Sequence, residues 1–157
     1  MYPRLPEMNK LSKYRISRNE IGRGAFSKVY VAIHIKTNTK TAMKIVKLKN
    51  LEKSFYQLCI NEVSLLKSIK SPHVLQYIDS FITYDSLHLT TEFIDGPDLA
   101  ERIQVAREKG KFFSERTVWY LFHQICAGLK DLHEHRILHR GKHFRGLFRI
   151  NCSIPSQ

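Results

Sequence analysis

From Tyr14 to Ile94 the hydrophobic positions follow a strand pattern with one interruption. YRISRNEIG (14–22) leads into a glycine turn at Gly22 to Gly24. KVYVAIHI (28–35) is dense in β-branched and aromatic residues, and KTNTK turns the chain back. TAMKIVKL (41–48) predicts a third strand. The interruption follows: Phe55, Leu58, Cys59, Leu65, Leu66 and Ile69 recur at steps of three and four, which predicts a helix. Ser71 before Pro72 predicts that this helix has ended, because a residue preceding proline is pushed out of the helical region. VLQYIDSFITY (74–84) and LHLTTEFI (87–94) then predict a strand pair around Asp85-Ser86.

Beyond Asp98 the spacing becomes helical. DLAERIQVAREKG starts at an acidic residue and stops at Gly110, as capping and the helix dipole favour. A longer helix is predicted from Ser114, a good N-cap with Glu115 in its first turn. Val118, Leu121, Phe122, Ile125, Leu129 and Leu132 form one predicted apolar stripe that needs a surface to pack against. The expected class is α+β, with a five-stranded antiparallel sheet and a helix followed by two further helices.

Composition changes this picture little. Hydrophobic residues make up 43% and charged residues 25% of 157, which fits a globular protein. No apolar run approaches the roughly 20 residues of a membrane span. MYPRLPEMNKLSK has no apolar core of a signal peptide, so cytoplasm is expected, with the nucleus or cytoskeleton as alternatives. Cys59, Cys126 and Cys152 have no paired spacing and are expected as free thiols. The net charge of +12 admits nucleic-acid binding, but the lysines are spread along the chain and no nucleic-acid motif is present, so such a partner is not expected. His133, His135 and His139 match no zinc spacing, and Cys126 is the only thiol near them, so no metal site is expected there.

Three features could carry chemistry. IGRGAFSKV (21–29) lies between two strands, and its glycines let backbone N–H groups approach phosphate oxygens. A tight β-turn would use the same glycines. Lys44, flanked by Met43 and Ile45, is either an exposed strand residue or a buried cation with a partner. Glu62 decides between these. It sits on the apolar face of its helix, four residues after Leu58 and four before Leu66, and a carboxylate there asks for a cation. A Lys44–Glu62 pair facing a glycine turn would hold phosphate, the lysine as a point charge and the glutamate as its anchor.

Taken in order, Gly22-x-Gly24-x-x-Ser27-x-Val29, Ala42-Met43-Lys44, Glu62 and LHEHRILHR resemble a eukaryotic protein kinase domain. IGRGAFSKVY, SPHVLQYIDSF and ERTVWYLFHQICAGLKDLH are similar to the NIMA-related serine/threonine kinases. The resemblance covers roughly residues 14 to 140. It implies a kinase N-lobe and hinge over 14–94, after an extension at 1–13, and part of a C-lobe over 95–140. It implies that Ile21, Gly22, Arg23, Gly24, Ala25, Phe26, Ser27 and Val29 cover the ATP phosphates. Val29 and Ala42 would wall the adenine and Thr91 would be the gatekeeper. Glu92 to Ile94 would be the hinge, and Asp98 would lie near the ribose. Lys44 would hold the α- and β-phosphates and pair with Glu62. Ser27 stands where many kinases have a third glycine, and Pro97 replaces the glycine usual in the Gly-Asp-Leu segment. ATP with magnesium is the implied cofactor, and a protein substrate or a kinase partner is implied with it.

The resemblance stops at Gly141. After His139 and Arg140 the family pattern continues with the catalytic-loop aspartate, then with metal ligands and an activation segment. Here GKHFRGLFRINCSIPSQ follows, with no acidic residue. Residues 141–157 are therefore expected to be an aberrant tail, from a retained intron, a frameshift or an assembly error. The expectation is a truncated, inactive kinase fragment with weak or absent ATP binding. The alternative is a non-catalytic, regulatory or dominant-negative binding fragment. Without the helices that would cover it, the stripe from Val118 to Leu132 is expected to be exposed.

Overall fold

The computed structural model describes residues 8–49 and 51–137. They divide into two compact units. The first runs to Ser68 and takes in Gln76–Phe93; the second holds Ile69–Leu75 and the residues from Ile94 on.

The first unit is a five-stranded sheet with helices. A four-residue helix, α1 (Met8–Leu11), precedes β1 (Tyr14–Arg23), β2 (Ser27–His34) and β3 (Thr39–Lys47); α2 (Lys53–Ser68) then leads to β4 (Tyr77–Thr83) and β5 (Ser86–Glu92). The strand order is β1-β2-β3-β5-β4, and every neighbouring pair is antiparallel. Two turns are set by residues with left-handed backbone. Asn38, at φ 53°, closes KTNTK, and asparagine tolerates that conformation better than most residues. Tyr84 and Asp85, at φ 48° and 58°, form the two-residue hairpin between β4 and β5, whose two positive φ values match the right-handed strand twist. The sequence pattern placed this turn at Asp85-Ser86. The structure sets it one residue earlier, with Thr83 paired to Ser86.

Alternation divides the buried residues between the two faces: Val46, Leu87 and Leu89 lie on one. On the other, Tyr14, Ala32, Met43 and Phe81 form a buried cluster, with Leu11, Ile16 and Ile45 packed against it. β1 and β4 are the outer strands, yet the Tyr14 and Phe81 rings stack at 6.2 Å. The sheet therefore curls until its two edges meet on this face, an extension of normal strand twist. Helix α1 lies against β4, and Lys10 Nζ stands 3.6 Å from an Asp79 oxygen. His88 stacks flat on Phe81 with centroids 5.0 Å apart. The ring of His88 is buried; Nε2 lies 2.9 Å from Thr83 Oγ1, and Nδ1 has no partner among the described residues. Burial holds the His88 pKa below the ordinary imidazole value. Burial likewise pushes the Tyr14 hydroxyl up, helped by the charge of Asp79.

The second unit contains α3 (Leu99–Glu108) and α4 (Glu115–Glu134). Asp98 caps α3 by accepting from the Glu101 N–H at 2.7 Å, and Gly110 takes φ 60° beyond its end. Ser114 caps α4 by accepting from the Thr117 N–H at 3.3 Å. In the loop before β4, Ser71 Oγ donates to Asp131 of α4 and accepts from the His73 N–H. The apolar stripe expected on α4 is corrected by the structure. Leu121 and Leu132 are buried, but Val118 and Phe122 are exposed. The packed face is Thr117, Leu121, Gln124, Gly128 and Leu132. Val118 and Phe122 each lie one step, about 100°, round the helix from a packed residue. Among the described residues, no helix is long and apolar enough to cross a membrane.

Candidate functional site

Cross-strand register places the candidate residues. Residues directly opposite each other in a sheet point to the same face, and residues two apart on one strand do too. Gly22 is opposite Val29, Val29 opposite Lys44, and Lys44 opposite Leu89. Two residues along, Val31 is opposite Ala42 and Ala42 opposite Thr91. Val29, Ala42, Lys44 and Thr91 therefore share one face, and Met43 with its paired Tyr30 and Thr90 points to the other.

Above this face lies α2. Lys44 Nζ donates to both Glu62 oxygens, at 2.7 and 2.9 Å. The two side chains are 28% and 20% exposed, so the pair is screened by solvent in part and held in part. Cys59, one turn before Glu62, has its thiol pushed up by burial and by the Glu62 charge, which makes it a poor nucleophile at neutral pH.

The turn between β1 and β2 is closed by its own backbone, with the Gly24 N–H donating to Ser27 O at 2.8 Å. Neither of its glycines adopts a positive φ. A Cβ on Gly22 would meet Val29 only at ordinary contact distance, 3.5 Å. A Cβ on Gly24 would come within 2.8 Å of the Ser27 hydroxyl, a group that can rotate away. The fold of the turn therefore explains the glycines only in part. Ile21, Ala25 and Phe26 are exposed there. Arg23 is not free: Nε and Nη2 donate to the Glu20 carboxylate at 2.6 and 2.9 Å, and Lys28 approaches it at 3.4 Å. Arg23, followed by Lys28, draws the Glu20 carboxyl below its usual range.

The remaining candidates are placed separately. The Glu92 N–H donates to Gln76 O, and its carboxylate accepts from the Gln76 N–H, both at 3.0 Å. Its N–H is thus already used within the chain. Lys40 Nζ stands 3.9 Å over the Phe93 ring. Ile94 and Asp98 belong to the second unit, where one Asp98 oxygen is engaged as the α3 cap. His139, Arg140 and Gly141 lie outside the described residues. Sequence reasoning missed two contacts: the Glu20–Arg23–Lys28 cluster, and the ring contact of Phe26 with Phe55 at 5.2 Å. Opposite charges on paired strands signalled the first. Nothing local signalled the second.

The protein kinase domain family matches residues 15–141. The chain is 34% identical over 128 residues to serine/threonine-protein kinase Nek3 of Mus musculus, covering 82% of this chain and 24% of that protein. It is 36% identical over 128 residues to Nek5 of Mus musculus, covering 82% and 20%, and 34% identical over 122 residues to Nek6 of Oryza sativa, covering 77% and 22%. The chain thus spans about a quarter or less of the length of these curated relatives. Among solved structures, Rad53 1-466 in complex with AMP-PNP is similar in fold, with a TM-score of 0.69 at 23% identity, over 83% of this chain and 33% of that one. The chain belongs to the protein kinase domain family, as a serine/threonine kinase domain similar to the NIMA-related kinases.

Proposed function

We propose that the sheet unit is the nucleotide-facing part of an ATP-dependent serine/threonine protein kinase domain. The observation that carries this is the Lys44–Glu62 pair, set on the same sheet face as Val29, Ala42 and Thr91. Lys44 would hold the α- and β-phosphates and Glu62 would fix it. Val29 and Ala42 supply apolar walls for the adenine, and Thr91 sits beside them as gatekeeper. Backbone N–H groups of residues 21–27 other than that of Gly24 would cover the phosphates.

In this chain the site does not complete a phosphoryl transfer. The proton of the acceptor hydroxyl needs a carboxylate base, which the family places after His139-Arg140. Here Gly141 stands at that position, and no Asp or Glu occurs from there to Gln157. The reading is therefore a kinase-domain fragment that binds ATP weakly and leaves it unconverted.

Titration of the chain with ATP and magnesium, followed by amide NMR shifts, tests the binding half. Shifts confined to Gly22, Gly24, Val29, Ala42 and Lys44 at millimolar ATP, lost in Lys44→Met, are expected; their absence would sink the nucleotide reading. Transfer of labelled phosphate to a protein acceptor above the Lys44→Met background would sink the inactive reading. A second reading, a non-catalytic fragment that binds another protein, is favoured by the exposed Val118, Trp119 and Phe122 on α4.

A further inference from the structure

Two side-chain contacts of α2 reach different parts of the sheet. Glu62 meets Lys44 on β3. Phe55 meets Phe26 at the tip of the glycine turn, with ring centroids 5.2 Å apart and planes tilted by 57°. Phe55 and Glu62 are two helical turns apart, so they share a face and stand about 10 Å apart along the axis. Ser27, at the end of the same turn, begins the β2 stretch that pairs with β3 around Lys44.

The ring of Phe26 is not needed to fold the turn. Backbone bonds close it: Gly24 N–H to Ser27 O at 2.8 Å, and Lys47 N–H to Phe26 O at 3.3 Å. Arg23 and Lys28 on Glu20 brace its base. Phe26 is nevertheless a large apolar side chain left 52% exposed, and its resolved ring contact is with α2. A turn already closed by its backbone thus spends its one aromatic residue on a neighbouring helix.

We propose that the Phe26–Phe55 contact is a positioning device that ties the glycine turn to α2, so that lifting the turn loosens the Lys44–Glu62 pair. Besides the packing of Leu66 beyond Glu62, the helix is then held at these two points along one face. Loss of the first leaves Glu62 at the end of a lever two turns long. Whatever occupies or displaces the turn would be felt at Lys44 through the helix as well as directly. The regulatory meaning of this link rests on the nucleotide reading above; the link itself does not.

The rate at which Lys44 of the full chain is acylated by an acetyl N-hydroxysuccinimide ester, read by mass spectrometry, tests the link without any nucleotide. An ammonium held in two hydrogen bonds reacts more slowly than a released one. Phe26→Ala and Phe55→Ala are each expected to raise the Lys44 rate about two- to tenfold, the range an aromatic pair supports. Glu62→Gln sets the ceiling. The double variant should react no faster than either single one, because both remove the same contact. Phe26→Tyr keeps a ring and should restore the original rate, and Lys130, far from the turn in sequence, should not change. An unchanged Lys44 rate in Phe26→Ala overturns the proposal, as does a double variant in which the two effects multiply. If Phe55→Ala disturbs α2 itself, Phe26→Ala decides, since its side chain sits on an exposed turn. A chain that shows the coupling but binds no ATP refutes only the nucleotide reading.

Discussion

In the sheet unit Met43 and Lys44 are adjacent, and they do opposite things. Met43 is fully buried against Tyr14, Ala32 and Phe81, while Lys44 turns to the other face and meets Glu62. In the helical unit Leu121 and Phe122 are also adjacent, and also differ: Leu121 is buried and Phe122 exposed. The causes are not the same. A strand turns each successive residue to the opposite face, so one step separates Met43 from Lys44. A helix rotates only about 100° per residue, so neighbours of a packed position are left beside it and not behind it. Two adjacent apolar residues on a strand must divide between faces; on a helix their fate depends on which sector finds a surface.

Substitutions can break that contrast. Met43→Ala and Leu121→Ala each remove a packed side chain and are expected to cost about 2–5 kcal/mol of unfolding free energy, measured by urea titration. If Lys44→Met proves as damaging as Met43→Ala, the two faces of the sheet are not separate in their energetics. At the start of α4, Ser114→Ala should remove the cap to the Thr117 N–H and cost about 1 kcal/mol, visible as lost helical circular dichroism. Glu62→Gln should cost about 1 kcal/mol or less, because the pair is part-exposed and screened; a loss of several kcal/mol in the same titration would mean that solvent does not reach it.

Acid should weaken the buried face. Burial favours the neutral form of His88 and holds its pKa below the unfolded value. Its contribution is therefore complete above the unfolded value, near 6.5, and is lost as pH falls below it. For one proton the slope cannot exceed about 1.4 kcal/mol per pH unit. Urea midpoints from pH 7.5 down to 5.5 should fall in the parent chain and stay flatter in His88→Gln; parallel curves would show that His88 does not sense the change. The smallest effect is expected at Phe122→Ser, within about 0.5 kcal/mol, since an exposed side chain gives up little on removal. A cost near that of Leu121→Ala would mean that the exposed sector of α4 is in use.

Much of this was legible in the sequence because it rests on local rules. Strand alternation gave the five strands, and Asp98 and Ser114 marked both later helices. The Lys44–Glu62 contact was expected from one carboxylate set between Leu58 and Leu66; the contact is there, although Leu58 is exposed and Leu66 is buried. What escaped depends on contacts between distant segments or on small residues. Helix α1 has only four residues, too few to show a period, and its surroundings come from β4. The packed face of α4 uses Thr117, Gln124 and Gly128, which no hydrophobic scale would select. The hairpin turn uses Tyr84 at a position where Gly or Asn would have announced it. The Phe26–Phe55 contact joins a turn to a helix across an intervening hairpin.

The meeting of Tyr14 with Phe81 has a consequence for solubility. An open sheet offers two rows of unpaired backbone groups, and each can recruit a strand from another molecule and seed a fibril. Here the two rows belong to β1 and β4, the strands whose rings stack on each other. The breaks in pairing register fall on these same strands, between Ile16 and Gly22 in β1 and between Tyr77 and Asp79 in β4, whereas β2–β3 and β3–β5 run without interruption. A foreign strand approaching either side would meet an uneven ladder, and on one face a side already occupied by its opposite number. The curl that buries four side chains also leaves the sheet a poor template for growth.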